Sequence, residues 1–338
     1  MALYILKRFS GVLLTLFVIL LVSYSLVRMA PGDPTKSSML GENSAMTEGI
    51  SADESALTVN RSLREKLYLD KPIYIGFFFW LRSAILHGDL GDSATVDKGK
   101  PVTELILERI PVTLSLNIFA IIITYSIALP VGIYSAVFQN SFLDKGSALF
   151  FFILYSIPGF WLALVLQALF CEGGKFPFFP IDGLSSSGVI GKSTWQIFAE
   201  SAKHYILPVL CLSYAGFAGL SRYARSSMLE IIRQDYIRTA RAKGLSESVV
   251  IFKHLFRNGL ITLITLFAGL LPGLIAGSII IEYVFNIPGM GTLSMMALTS
   301  RDIPVLMALF AFGGGLTLLG ILLSDVFYVI ADPRISFK

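Results

Sequence analysis

Asp235-Tyr236-Ile237-Arg238-Thr239-Ala240-Arg241-Ala242-Lys243-Gly244-Leu245 is the stretch from which the rest of the chain can be read. It lies in a basic segment, Arg222 to Arg257, with eight Lys or Arg against three acids, Glu230, Asp235 and Glu247, between long apolar runs. A charge at the bilayer centre costs about 2.5–3.5 kcal/mol on insertion scales, so eight would cost on the order of 20 kcal/mol. The segment therefore belongs outside the hydrocarbon. Leu229, Ile232, Tyr236 and Ala240 recur three to four apart and predict one apolar helical face. Gly244 suits the left-handed turn that ends a helix. Ser246 suits the N-cap of a second short helix bearing Val249, Phe252 and Phe256. The expected element is two short helices about a glycine turn, with one greasy and one cationic face. Spacing alone also fits a solvated loop, or a basic amphipathic helix lying on anionic lipid.

Outward from this stretch the composition is that of a membrane protein. Hydrophobic residues make up 54% of the 338 and charged residues 15%, with a mean hydropathy of +0.72. A soluble chain of this length carries more charge. Two cysteines, Cys171 and Cys211, cannot build a disulfide framework. The three histidines are scattered, and neither a metal site nor a cofactor is expected.

Lys7-Arg8 precede an apolar run that is too long for a signal-peptide core, so it reads as a retained first helix. Six spans are expected, near 11–30, 112–138, 148–170, 205–221, 259–281 and 304–330. The apolar piece Ile73–Leu81 is too short to cross about 30 Å and reads as an interfacial or packed helix. Residues 31–109 then form a long external loop, and 222–258 a cytoplasmic loop. This arrangement places thirteen Lys or Arg in inside segments and four in the short outside loops, which orients both termini to the cytoplasm. Breakers recur along the spans, at Pro130, Pro158-Gly159, Pro208, Pro272-Gly273 and Gly313-Gly314-Gly315. In the fifth span Gly269, Gly273 and Gly277 lie four apart, which predicts a face for close helix packing.

Ser186-Ser187-Gly188-Val189-Ile190-Gly191-Lys192-Ser193 ends like a phosphate-binding loop. It lacks the first glycine and a preceding strand pattern, and the expected topology puts it on the external side, away from cytoplasmic ATP. No nucleophile and base converge, so no catalytic residue is expected and any ATP must be hydrolysed by a partner. Ion-driven carriers usually need ionisable groups within their spans. Here the candidates are Glu282, kept as a possible pathway group, and Asp325, both near helix ends where a solvated terminus is the simpler reading.

The stretch Asp235–Leu245 resembles the cytoplasmic EAA loop of ABC-importer permeases, in the form seen in the dipeptide/oligopeptide/nickel branch. Arg238, Thr239 and Ala240 stand where the general consensus has Glu-Ala-Ala, and Arg257 stands where it has proline. Both departures favour the peptide-type variant. His87 through Val102, Glu282 through Gly291 and the ending Ala331-Asp332-Pro333-Arg334 are similar to the same branch.

The resemblance implies an all-α polytopic membrane protein, a single permease domain over 1–338 of the type I ABC-importer kind. It implies that Asp235, Tyr236, Arg238, Thr239, Ala240, Arg241, Ala242, Lys243, Gly244 and Leu245 dock into a groove on an ATPase. The implied partners are a homologous second permease, two cytoplasmic ABC ATPases, an external solute-binding protein and membrane lipid. No nucleic acid is expected. Di- or oligopeptides are the expected cargo, ahead of nickel or other small solutes. A stand-alone secondary carrier is the rival reading.

Overall fold

Apolar runs dominate the sequence, and in the computed structural model those among the described residues are mostly helix. It describes residues 2–30, 64–65, 68–181, 183–184, 193–256, 273–274 and 277–331, and no strand occurs among them. The outer loop 35–61, the near-phosphate loop up to Lys192, Gly269 and residues 332–338 lie outside the described residues, as does most of the fifth expected span.

The helices are α1 (Ala2–Met29), α2 (Ile73–His87), α3 (Val102–Val137), α4 (Phe142–Ser156), α5 (Gly159–Phe170) and α6 (Thr194–Ile232). They continue with α7 (Asp235–Ala242), α8 (Glu247–Val249), α9 (Ile279–Val284), α10 (Met290–Ser300) and α11 (Ile303–Ala331). A π-helical turn, Val250–Phe256, follows α8. Segments long and apolar enough to cross a bilayer occur at Arg8–Met29, Val102–Val137, Thr194–Ile232 and Ile303–Leu323. A fifth forms if α4 and α5, bent by 90°, are taken together. The bend falls at Ile157-Pro158, and Tyr214 donates a 2.7 Å hydrogen bond to the freed Ile157 carbonyl. The 15-residue α2 is too short to span, as its length predicts.

Two boundaries differ from the hydropathy reading. Helix α3 starts ten residues before the expected span because Val102, Leu105 and Ile106 are buried in their own apolar cluster. Helix α6 runs 39 residues, well beyond 205–221 on both sides. Its start is fixed by a capping box, in which Ser193 and Gln196 bond to each other's backbone N–H. Both of its ends carry charged residues, among them Glu200, Lys203, Arg222 and Arg225, which a hydropathy window leaves out of the span.

The described residues group into two compact units. The first holds residues 1–111 and 289–322. Here Tyr24 of α1, Phe77 and Trp80 of α2, and Ile303 and Met307 of α11 share one core. Arg28, which closes the apolar run of α1, donates to the carbonyls of Tyr68, Leu69 and Lys71 at 2.9–3.0 Å and so ties down the turn before α2. The second unit holds the described residues between 112 and 288 and residues 323–331. Its larger core joins Leu116 and Ala120 of α3, Ala163 of α5, Leu207, Val209 and Cys211 of α6, and Ile281 of α9. Both cysteines are buried and free.

Candidate functional site

The basic stretch folds as a small hairpin of helices. Helix α6 ends at Ile232, Arg233 caps it, and Gln234 is extended, so helical phase is reset before α7 begins. Asp235 in the first turn of α7 and Arg241 in the last complement its dipole. The C-terminus closes as a Schellman motif. Gly244 N–H donates to the Arg241 carbonyl at 2.9 Å and Leu245 N–H to the Ala240 carbonyl at 3.4 Å. Gly244 has φ +75°, as that motif requires. Ser246 is the extended residue before α8, and its carbonyl accepts from Val250 N–H at 3.0 Å. Arg241 makes a two-pronged bond to Glu247, at 2.8 and 3.2 Å, across the turn. Both side chains are well exposed, so that pair contributes at most about 1 kcal/mol.

The apolar face differs from the expected stripe. Ile237, Ala240 and Val250 are buried together against Ile231. Leu229 and Ile232 belong instead to a neighbouring cluster with Ala136, Ala224, Met228 and Leu255. Tyr236 points outward and is 43% exposed. The stripe read across residues 229–240 assumed one uninterrupted helix, and the break at Arg233-Gln234 rotates α7 away from that phase. The same shift follows the turn, where Val249 is exposed and Val250 is inside. The hairpin is thus packed on its own core. It presents Tyr236, Leu245 (40% exposed) and Val249 outward, together with Arg238, Thr239, Arg241, Ala242, Lys243 and Gly244. Asp235 is exposed and pairs loosely with Arg238 at 3.7 Å.

The glycine face of the fifth span does not carry through to Gly277. That residue has φ +73° and precedes α9 rather than continuing a helix. A β-carbon on Gly273 would meet nothing within 4 Å. Asn117 of α3 instead donates to the Leu274 carbonyl at 2.7 Å, satisfying backbone beside the interruption. Glu282 is not at a solvated helix end. It is 1% exposed and accepts from Thr113 Oγ1 at 3.0 Å and from Ser278 N–H at 3.3 Å.

Two ionic features escaped the sequence reading. Arg225, one of the eight cations of the basic segment, forms a bidentate pair with Asp144 of α4 at 2.7 and 2.8 Å. Asp144 is 4% exposed and also accepts from Asn140 N–H at 2.9 Å. Beside it, a β-carbon on Gly132 of α3 would stand 2.5 Å from the Ser221 carbonyl oxygen of α6, so the two helices touch through backbone there. In the first unit, Asp302 is fully buried at the start of α11 and gathers donors from residues 93–96. Partners so far apart along the chain leave no local signal. An acid just after a short polar loop is the only hint that Asp144 gives.

Comparison with known proteins covers the whole chain. Residues 128–337 match the family described as binding-protein-dependent transport system inner membrane component, and residues 1–117 match its N-terminal family. The chain is 38% identical to the oligopeptide transport system permease protein AppB of Bacillus subtilis, with all of both chains covered. It is 32% identical to the inner membrane ABC transporter permease protein YejB of Escherichia coli O157:H7, again over both full lengths. It is 34% identical to a putative peptide transport system permease protein of Brucella abortus over 98% of each.

Proposed function

Because the chain belongs to the binding-protein-dependent transport system inner membrane component family, we propose that it forms half of the translocation path of an ATP-driven peptide importer. It is a permease subunit of an ABC transporter and a multi-pass inner-membrane protein. The observation that carries the peptide reading is the full-length likeness to permeases named for oligopeptide and peptide transport. In the proposed arrangement six spans cross the membrane with both termini in the cytoplasm, residues 31–109 lie outside, and residues 222–258 face the ATPases. A second, homologous permease completes the path, two ATPases supply ATP hydrolysis, and an external binding protein delivers the peptide.

The proposed ATPase contact is the outward surface of the hairpin. Three apolar side chains, Tyr236, Leu245 and Val249, stand there among cations on a unit already stabilised by its own core. A self-folded knob of this kind can move as one piece when a partner pulls on it. Arg225 and Asp144 then link the helix that carries the knob to α4. Glu282 with Thr113 is the proposed polar point of the path.

Gly244→Val tests this reading. No atom crowds the position, so the substitution acts only through φ, at roughly 1–2 kcal/mol. That strain is too small to unfold the packed spans and large enough to reshape the turn. Insertion and abundance should match the parent while peptide-stimulated ATP hydrolysis by the complex is lost. Hydrolysis at the parent rate would show that the hairpin is not the coupling element. Replacing the cargo with nickel in the same assay tests the small-solute alternative.

A further inference from the structure

We propose that the cleft between α3, α4 and α6 in the second unit binds the headgroup of an anionic phospholipid. The cleft encloses about 790 Å³. The one acid among its lining residues is Asp144, and both of its oxygens are engaged by Arg225. Lys145 and Arg222 remain on the rim, exposed, and neither side chain makes an ion pair or hydrogen bond among the described residues. The polar end of the cleft therefore carries two uncompensated positive charges.

Along α4 the chemistry changes with distance from that end. Leu149 and Phe152 follow Lys145 at spacings of four and three, on the same helix face, and both are exposed. Tyr155 continues the apolar wall of the cleft. A ligand that fills this site needs an anion at one end and a hydrocarbon chain reaching along the helix. A free phosphate satisfies only the rim and a neutral lipid only the wall. An anionic glycerophospholipid satisfies both, and basic pockets between membrane helices are suited to such headgroups.

The inference needs α4 to lie in the bilayer. It does not need the ATPase-docking role of the hairpin, so the two can fail separately. The test is native mass spectrometry of the full chain in detergent, titrated with phosphatidylglycerol, phosphatidylcholine or glycerol 3-phosphate. Phosphatidylglycerol should be retained over phosphatidylcholine. Lys145→Gln or Arg222→Gln should each weaken it roughly fivefold, and the double variant about twenty-five-fold. Neither side chain is bonded within the fold, so both variants should keep the parent's thermal unfolding. Phosphatidylglycerol binding unchanged in the double variant would overturn the proposal. So would full displacement by glycerol 3-phosphate, which would mark a site for the phosphoester alone. Binding to the isolated chain that disappears in the assembled transporter would assign the cleft to a partner subunit and would equally overturn it.

Discussion

Asp302 accepts a 2.6 Å hydrogen bond from Ser93, a residue 209 positions earlier in the chain, with both side chains buried. The same carboxylate oxygen accepts from the N–H groups of Thr95 and Val96 at 2.9 and 3.0 Å, and the other oxygen from Val305 N–H at 3.3 Å. One side chain thus holds the segment before α3 against the start of α11. Asp302→Ala would leave two buried donors, Ser93 Oγ and Val305 N–H, without an acceptor at about 1–3 kcal/mol each, and the part-buried N–H groups of Thr95 and Val96 at less. Asp302→Asn keeps one acceptor oxygen for the 93–96 segment and loses the Val305 bond. Thermal unfolding in detergent should rank parent, Asn and Ala in that order, with Ala far below. Equal midpoints for all three would remove the clasp.

The pair Arg225–Asp144 makes an asymmetric prediction. Asp144 is the more deeply buried partner, so Arg225→Ala strands a charge in the interior, whereas Asp144→Ala leaves a guanidinium that can reach solvent. Breaking a buried pair costs about 3–5 kcal/mol, and partial exposure of Arg225 should bring these nearer 2–3. Arg225→Ala should be the worse of the two in unfolding experiments. A double-mutant cycle with Asp144→Ala should return a coupling energy above about 1 kcal/mol. Additive losses would mean that the pair contributes nothing beyond its separate contacts.

Inside and outside positions of the hairpin should separate cleanly. Ile237→Ala removes a fully buried side chain from the small core and should lower stability by about 2–4 kcal/mol where that core unfolds locally. Tyr236→Ala and Leu245→Ala remove only exposed side chains. They should leave the unfolding midpoint alone and weaken co-purification with the cognate ATPases roughly tenfold, since docking energy concentrates in a few apolar contacts. Ala240→Trp should disturb both properties, because Ala240 faces the hairpin core. Co-purification unaffected by Tyr236→Ala and Leu245→Ala would place the ATPase contact elsewhere.

Topology can be read with little native background. Cys171 is buried, and burial together with the charge of Glu172 raises its thiol above the ordinary range. Cys211 is buried as well, so both native thiols are shielded, and reaction at Cys171 is further slowed because less of it is thiolate at a given pH. Cysteines introduced at the exposed positions Asp97 and Ser246 should therefore report alone. An impermeant maleimide added to intact cells should label Asp97→Cys and not Ser246→Cys. Labelling of Ser246→Cys without permeabilisation would reverse the orientation.

Much of this architecture was legible because hydropathy and charge are local quantities. The long runs in α1, α3 and α11, the short α2 and the glycine turn at Gly244 all follow from residues within one window of one another. What stayed hidden depends on phase or on distance. Tyr236 and Ile237 are neighbours, and which one faces inward is decided by a helix break at Arg233-Gln234 that no strong breaker residue announces. Glu282 reads as a helix-end acid until Thr113, 169 residues away, is seen to bond it. Arg225 looks like one more loop cation until Asp144 is found 81 residues before it.

Peptide uptake into proteoliposomes tests the central proposal most directly. The chain would be reconstituted with its homologous permease, the two ATPases and the binding protein, and a labelled oligopeptide presented on the binding-protein side. Accumulation should require ATP on the ATPase side and should stop when either the ATPases or the binding protein is omitted, or when Gly244 is replaced by Val. Accumulation by this chain alone, driven by an imposed proton gradient without ATP, would contradict the importer account.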